Sequence, residues 1–110
     1  MDKLADRSCV PCDGDFPALA REQAESFMEH IPGWNLSGDA TGISREYRFK
    51  DFADALAFTN AVGALAEEEG HHPDIALSWG KVGVSLTTHA IGGLSENDII
   101  LAAKIDLLPK

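Results

Sequence analysis

Apolar residues recur every three or four positions in two segments of the chain, a spacing typical of amphipathic helices. The first segment predicts a helix over residues 18–30, which ends before Pro32. The second predicts a helix between Asp51, a favourable N-cap residue, and Gly70, a glycine placed just past the helix end. The face that we expect this second helix to bury consists of Phe52, Ala55, Leu56, Thr59, Val62 and Ala66.

Alternating apolar and polar residues predict short strands elsewhere in the chain. One begins just after the first helix, and the next covers residues 43–50, where Arg45 is the one polar residue on the apolar face. Residues 75–79 and 82–88 form a predicted hairpin. Its loop is Gly80-Lys81, because glycine at the first of two loop positions suits a type II′ turn.

A last helix is predicted to start near Ser95, with Asp98 three residues later in a capping-box arrangement. Over residues 99–108 only Lys104 and Asp106 are polar, so this helix is apolar all round and needs cover on more than one side. We expect a second copy of the chain to supply that cover. The order α-β-β-α-β-β-α favours an α+β fold with a four-stranded antiparallel sheet and helices packed on one face.

Composition narrows the class of protein. The chain has 110 residues, with 9 basic and 18 acidic side chains, so a net charge of −9 argues against nucleic-acid phosphate as a partner. It has no signal-like leader and no apolar run long enough to span a membrane, so we expect a cytoplasmic protein without membrane contact. The length suits a single domain over residues 18–110, preceded by an irregular arm over residues 1–17.

The two cysteines, Cys9 and Cys12, lie in that arm as Cys-Val-Pro-Cys. A single pair supplies at most half of a zinc site, and no strand precedes it as in a thioredoxin-like motif. We expect thiols without a catalytic role, while a metal or redox role stays open.

Three of the four histidines, His71, His72 and His89, fall within 19 residues. The predicted hairpin loop pairs Trp79 with Val82, and the same register carried outward puts His72 opposite His89. The sequence therefore predicts that these two imidazoles lie close together at one end of the sheet. The fourth histidine ends the first predicted helix and is expected to lie outside this group.

Three interpretations of the histidines are open from the residues alone. They are polar residues at a helix exit and a strand end, or they bind zinc or iron together with Glu67. The third interpretation is metal-free proton transfer by several imidazoles. Glu67 stands four residues before His71, a helical spacing that would let its carboxylate orient that ring.

The ordered set Glu67-x-x-x-His71-His72-Pro73, Trp79, His89 and Asp98 resembles the signature of the pterin-4a-carbinolamine dehydratases. The resemblance covers nearly the whole chain, and the arm's Cys-Val-Pro-Cys resembles that of bacterial members. Further segments that are similar to the family are Pro32-Gly33-Trp34, Phe49-x-Asp51-Phe52 and Gly93-Leu94-Ser95-Glu96-x-Asp98-Ile99.

The resemblance implies a reaction: dehydration of 4a-hydroxytetrahydropterin to quinonoid dihydropterin, without metal or cofactor. It further implies recycling of the pterin cofactor of aromatic amino acid hydroxylases. By the same resemblance His71, His72 and His89 are the acid–base and substrate-binding residues. We expect His72 to be a principal acid or base, since the predicted register places it against His89; which histidine protonates which face of the pterin stays open.

Other positions receive supporting roles. The expected contacts with the pterin are Glu67, which also orients His71, together with Pro73, Thr87 and Thr88. Asp98 is expected to stabilise the start of the last helix. Trp79 is expected to pack in the core or at an interface, because it lies at the far end of the hairpin. Gly70 stands where some family members carry an acidic residue, which affects substrate affinity more than reaction type.

The resemblance also implies partners. The family forms dimers and tetramers, so we expect a homodimer or homotetramer. Vertebrate relatives act as dimerisation cofactors for a homeodomain transcription factor, which makes a protein-binding module an alternative function. A relative acting in molybdopterin metabolism is a further alternative.

Overall fold

The computed structural model describes residues 18–110, and the predicted arm with both cysteines lies outside the described residues. Within the described part the elements follow the predicted order α-β-β-α-β-β-α, with a short 3₁₀ helix, His89–Ile91, before the last α-helix. The helices are Arg21–Met28 (α1), Phe52–Glu69 (α2) and Glu96–Asp106 (α3). The strands are Asn35–Leu36 (β1), Ile43–Arg48 (β2), Asp74–Ser78 (β3) and Lys81–Leu86 (β4).

The four strands form one antiparallel sheet in the order β1-β2-β4-β3. Alternate residues of β2 and β4 are buried, while Ser44, Glu46 and Arg48 on the other face of β2 are exposed. The helices cover the buried face, which confirms the predicted α+β architecture. The core beneath them combines Ala24 of α1; Ala55, Phe58 and Val62 of α2; Ile99, Leu101 and Ile105 of α3; and Ile43, Tyr47, Val82, Val84 and Leu86 of the sheet.

Helix α2 begins and ends where local chemistry predicts. The Asp51 carboxylate accepts a hydrogen bond of 2.9 Å from the backbone N–H of Asp54. Gly70 ends the helix in the left-handed conformation (φ 67°), and the N–H of His71 bonds back to the carbonyl of Ala66. This sharp stop delivers His71 directly to the edge of the sheet.

The predicted buried face of α2 is partly wrong. Ala55, Val62 and Ala66 are buried, but Phe58 takes the place expected for Leu56. Phe52 and Leu56 are 44% and 40% exposed. The buried residues 55, 58, 62 and 66 also have helical spacing. The sequence is therefore compatible with two overlapping apolar faces, and packing against the sheet determines which one is buried.

The hairpin register differs from the prediction by two residues. Ser78 pairs with Lys81, so the loop is Trp79-Gly80, and Leu77 faces Val82 rather than Val84. Gly80 is required by packing rather than by turn conformation, because a Cβ there would lie 2.9 Å from the carbonyl oxygen of Phe49. The turn rule therefore selected the wrong loop residues.

Trp79 occupies this loop and is 68% exposed, so of the two expected locations, core or interface, the core of this chain is wrong. No helix among residues 18–110 is both long enough and apolar enough to cross a bilayer.

Helix α3 is buried inside the chain itself. Ile99, Leu101 and Ile105 are fully buried against α2 and the sheet. The expectation that a second copy must cover this helix is therefore wrong, since the fold already surrounds it. Its polar exceptions have partners: the Lys104 ammonium lies 3.6 Å from the carboxylate of Glu69.

Asp106, the second polar residue of the segment 99–108, explains why Arg45 stands on the apolar face of its strand. The Asp106 carboxylate accepts hydrogen bonds from Arg45 (3.0 Å), from the Tyr47 hydroxyl (2.5 Å) and from the indole N–H of Trp34 (3.1 Å). Burial, reinforced by the hydrogen bond to Asp106, raises the pKa of the Tyr47 hydroxyl above its ordinary value. This cluster ties the end of α3 to the sheet.

Candidate active site

The corrected hairpin register decides which residues meet at the histidine end of the sheet. Asp74 pairs with Ser85, and the same register carried outward brings His71 toward Thr88 and His72 toward Thr87. The prediction that His72 lies opposite His89 is therefore wrong in register. The three histidines nevertheless share one end of the sheet, because His71 and His72 precede β3 and His89 follows β4.

His71 is paired with a buried carboxylate. Its Nε2 lies 2.5 Å from Oδ1 of Asp98, and the two side chains are 13% and 0% exposed. Helix α2 ends at Glu69, two residues before His71, and α3 carries Asp98 in its first turn, so two helices position the pair. Sequence reasoning missed this contact, although both residues belong to the same ordered signature.

The second oxygen of Asp98 is also engaged. Oδ2 accepts a hydrogen bond of 3.0 Å from the backbone N–H of Ser95 and another of 2.8 Å from the Thr88 hydroxyl. The capping-box contact expected between Asp98 and Ser95 is thus present at the start of α3. The carboxylate adds to it a contact with His71 and one with the residue just before His89.

His72 is paired with Glu67, the carboxylate expected to orient His71. Its Nε2 lies 2.9 Å from Oε1 of Glu67, and these side chains are 60% and 79% exposed. The expectation that Glu67 orients His71 is wrong because Gly70 ends the helix in the left-handed conformation. Helical spacing does not extend to His71, and the chain beyond Gly70 brings His72 to Glu67 instead.

His89 stands at the start of a closed loop. The backbone N–H of Thr88 bonds to the carbonyl of Gly93 (2.8 Å), and Gly92 takes the left-handed conformation with φ 67°. His89 itself is exposed. The loop therefore presents this imidazole to solvent from a base that is fixed at Thr88.

The hydroxyls of Thr87 and Thr88 have partners within the protein. Thr87 donates to the carbonyl of Thr41 at 2.6 Å, and Thr88 donates to Asp98. Thr87 also lines an open cleft of about 370 Å³, whose other hydroxyl-bearing residues are Ser37, Thr41, Ser44 and Ser85. An open cleft of this size thus reaches Thr87, the residue that the register brings toward His72.

Among residues 18–110, no group of three or more His, Cys, Asp and Glu side chains is arranged to hold a metal ion. Within the same range, every buried polar side-chain atom has a hydrogen-bond partner. Nε2 of His71 and Nε2 of His72 each face their own carboxylate. The arrangement is suited to holding and moving protons.

Fold and site together define a small α+β domain that presents carboxylate-paired histidines at one end of a four-stranded antiparallel sheet. A family model described as pterin 4 alpha carbinolamine dehydratase matches residues 17–108. The chain belongs to this family.

Individual relatives support the same family assignment. The chain is 50% identical over 105 residues to a protein of Halorhodospira halophila, with 96% of each chain covered. It is 49% identical over 105 residues to one of Methylococcus capsulatus, with 96% of this chain and 92% of the relative covered. The names of both relatives assign them provisionally as pterin-4-alpha-carbinolamine dehydratases.

Two solved structures share the fold. A transcriptional coactivator/pterin dehydratase from Brucella melitensis superimposes with a TM-score of 0.76 at 30% identity, covering 81% of this chain and 95% of that one. A pterin dehydratase-like protein, described as a RuBisCO assembly factor in the alpha-carboxysome, gives 0.59 at 29% identity and covers 67% and 86%. Proteins of this fold thus carry descriptions of enzymes and of assembly proteins.

Proposed function

We propose that this protein dehydrates 4a-hydroxytetrahydropterin to quinonoid dihydropterin by acid–base catalysis with histidines. Family membership supplies the reaction class. The observation that carries the proposal is the pair of adjacent imidazoles, one held by the buried Asp98 and the other by the exposed Glu67. Two proton-transfer groups of different surroundings are what such a dehydration needs.

The chemistry explains the need for two groups. The C4a–O bond breaks, and hydroxide is a poor leaving group unless a proton is added so that it departs as water. A ring nitrogen must release a proton as the new double bond forms. One proton is consumed and one is released, so the reaction balances without an oxidant or reductant.

In this proposal His72 is a principal acid or base. The argument for this role is now the exposure of its side chain, because the predicted register against His89 is wrong. A 60% exposed imidazole exchanges protons readily with water and is reset after each turnover. His71 and His89 complete the proton-transfer and binding residues. Glu67, Pro73, Thr87 and Thr88 are proposed to line the pterin-binding site, with the two threonines fixing its wall.

The direct test follows the quinonoid product optically from freshly made 4a-hydroxypterin. The matched control for a site variant is His30→Ala, because His30 is an exposed residue of the α1 end and makes no part of the site. We expect His30→Ala to keep the wild-type rate. Product formation no faster than the uncatalysed rate with the wild-type protein would end the proposal.

A physiological role is proposed with the activity: recycling of the pterin cofactor for an aromatic amino acid hydroxylase. In a coupled assay with a hydroxylase, quinonoid reductase and limiting pterin, the protein should raise the sustained rate of hydroxylation. A His72→Ala variant should not. Unchanged hydroxylation on adding active protein would reject this role while leaving the dehydration intact.

A second candidate is a protein-binding role, alone or beside the enzyme. Phe52 and Leu56 lie one turn apart on α2 and are both substantially exposed. These residues replace α3 as the surface that we expect to support a homodimer or homotetramer or another protein. Phe52→Ser with Leu56→Ser should lower the sedimenting mass while dehydratase kinetics persist; an unchanged mass would remove this surface from self-association.

A further inference from the structure

Asp98 holds parts of three elements together. Oδ1 contacts His71, which follows α2, while Oδ2 contacts Thr88, which follows β4, and the N–H of Ser95 at the start of α3. A fully buried carboxylate is costly unless its oxygens accept hydrogen bonds, and these three contacts together offset that cost. The position of the His71 ring is therefore set by the same group that starts a helix.

Donor and acceptor accounting then places the hydrogen on His71. A carboxylate only accepts hydrogen bonds, so Nε2 of His71 donates to Oδ1. A neutral imidazole carries one hydrogen, and the other ring nitrogen is then an acceptor. Nδ1 of His71 is thus left as the nitrogen able to take a proton.

Thr88 extends the influence of Asp98 to the third histidine. The Thr88 side chain is buried and bonds to Asp98 and to the Ser95 hydroxyl (2.8 Å), while its backbone N–H bonds to Gly93. His89 is the next residue. A shift of the Asp98 carboxylate would therefore move the base of the loop that carries His89.

We propose that Asp98 is a positioning residue that assigns proton transfer at His71 to Nδ1 and, through Thr88, holds His89 in place. The inference rests on the proposed dehydratase function for its kinetic consequence, though not for the tautomer. It goes beyond helix capping, because a cap alone has no effect on where an imidazole carries its hydrogen.

Asp98→Asn is the informative variant. The N–H of Ser95 still donates, so the amide oxygen of the asparagine turns toward Ser95 and its NH₂ group faces Nε2 of His71. Nitrogen-15 NMR of the imidazoles should then show the His71 hydrogen moved from Nε2 to Nδ1. With the wrong nitrogen protonated, kcat should fall by at least about 10²-fold while KM changes by less than about threefold.

Asp51→Asn provides the matched control. Asp51 caps α2 through the N–H of Asp54, as Asp98 caps α3, but no histidine is among its hydrogen-bond partners. We expect the His71 tautomer to stay unchanged in this variant and kcat to stay within about twofold of wild type. If Asp98→Asn behaves like Asp51→Asn in both measurements, Asp98 is a helix cap only and the proposal is overturned.

Two further measurements keep the proposal testable if Asp98→Asn fails to fold. In the wild-type spectrum, a neutral His71 with its hydrogen on Nδ1 overturns the proposal directly. Thr88→Val should lower kcat by about tenfold with the His71 tautomer retained, and Thr88→Ser should restore the rate. A wild-type protein without dehydratase activity would reject the proposed function, whereas the tautomer would still decide the role of Asp98.

Discussion

Two histidine–carboxylate pairs stand side by side in this protein and differ in almost every physical respect. In the first, His71 and Asp98 are shielded from water, and both carboxylate oxygens accept hydrogen bonds. In the second, His72 and Glu67 are mostly exposed, and the contact lies at the end of a helix. The same chemical groups are therefore enclosed by the protein in one pair and open to solvent in the other.

The difference follows from where each carboxylate lies. Asp98 is in the first turn of a buried helix, where removing one partner leaves polar groups without water to replace it. Glu67 is in the last turn of α2, where water can take over the hydrogen bonds of either partner. A site made of one fixed and one exchangeable imidazole can keep its geometry while protons enter and leave.

The largest expected effect is on stability. Asp98→Ala leaves three buried hydrogen-bonding groups without their partner. It should therefore lower the free energy of unfolding by about 3–5 kcal/mol. Glu67→Ala, as the matched exposed change, should cost less than about 1 kcal/mol. Urea unfolding of the two variants measures both values, and equal costs would contradict the contrast drawn between the pairs.

The next effect is on catalysis. His72→Ala should lower kcat by about 10²-fold or more, the scale of one general acid or base, while the fold survives because the side chain is exposed. The optical dehydratase assay and a circular dichroism melt measure the two properties, with His30→Ala as control. A rate within the error of wild type would remove His72 from the chemistry.

Local chemistry explains how much of this could be predicted from the sequence. Asp51, Gly70 and Ser95 mark helix ends through contacts only a few residues away, and the structure has them in those roles. The hairpin register could not be predicted from the alternation of apolar and polar residues, because a shift of two residues leaves every side chain on the same face of the sheet. In the observed register Gly80 lies against the carbonyl oxygen of Phe49, a contact that no local pattern predicts.

Hydrogen-bond partners that lie far apart in the chain could not be predicted from the sequence either. The contact between His71 and Asp98 joins residues 27 positions apart, and that between Arg45 and Asp106 joins residues 61 apart. Arg45 is visible in the sequence as an exception to its strand pattern, but nothing local names its partner. Family resemblance placed His71 and Asp98 in one signature without saying that they touch.

A third carboxylate, Asp106, lies between the two extremes, because its side chain is 24% exposed. Tyr47→Phe removes one hydrogen bond to it and should lower the free energy of unfolding by about 1.5–3 kcal/mol. The raised pKa of Tyr47 means that this stabilisation is complete below the unfolded-state pKa of about 10 and declines as the pH rises above it.

The pH dependence gives that prediction its control. Between pH 9 and 11, as an approximate range around the tyrosine pKa, wild-type stability should fall more steeply than that of Tyr47→Phe. Parallel curves in urea titrations would contradict a buried neutral phenol at Asp106. Because the Asp106 carboxylate is bonded to Trp34, Arg45 and Tyr47 and not to a histidine, kcat of this variant should change little.

The smallest expected effect is that of metal removal. It tests whether the carboxylates, and not a metal ion, are the partners of the two imidazoles. A metal bound through Nε2 of His71 or His72 would have to displace Asp98 or Glu67, and the buried pair would lose the hydrogen bond that fixes its ring. We therefore expect full dehydratase activity after dialysis against a chelator, followed by metal analysis of the protein. Loss of activity with recovery on adding zinc would mean that the carboxylates compete with a metal for these imidazoles. The pairs would then describe a resting state, and the proton-transfer roles assigned to His71 and His72 would have to be abandoned.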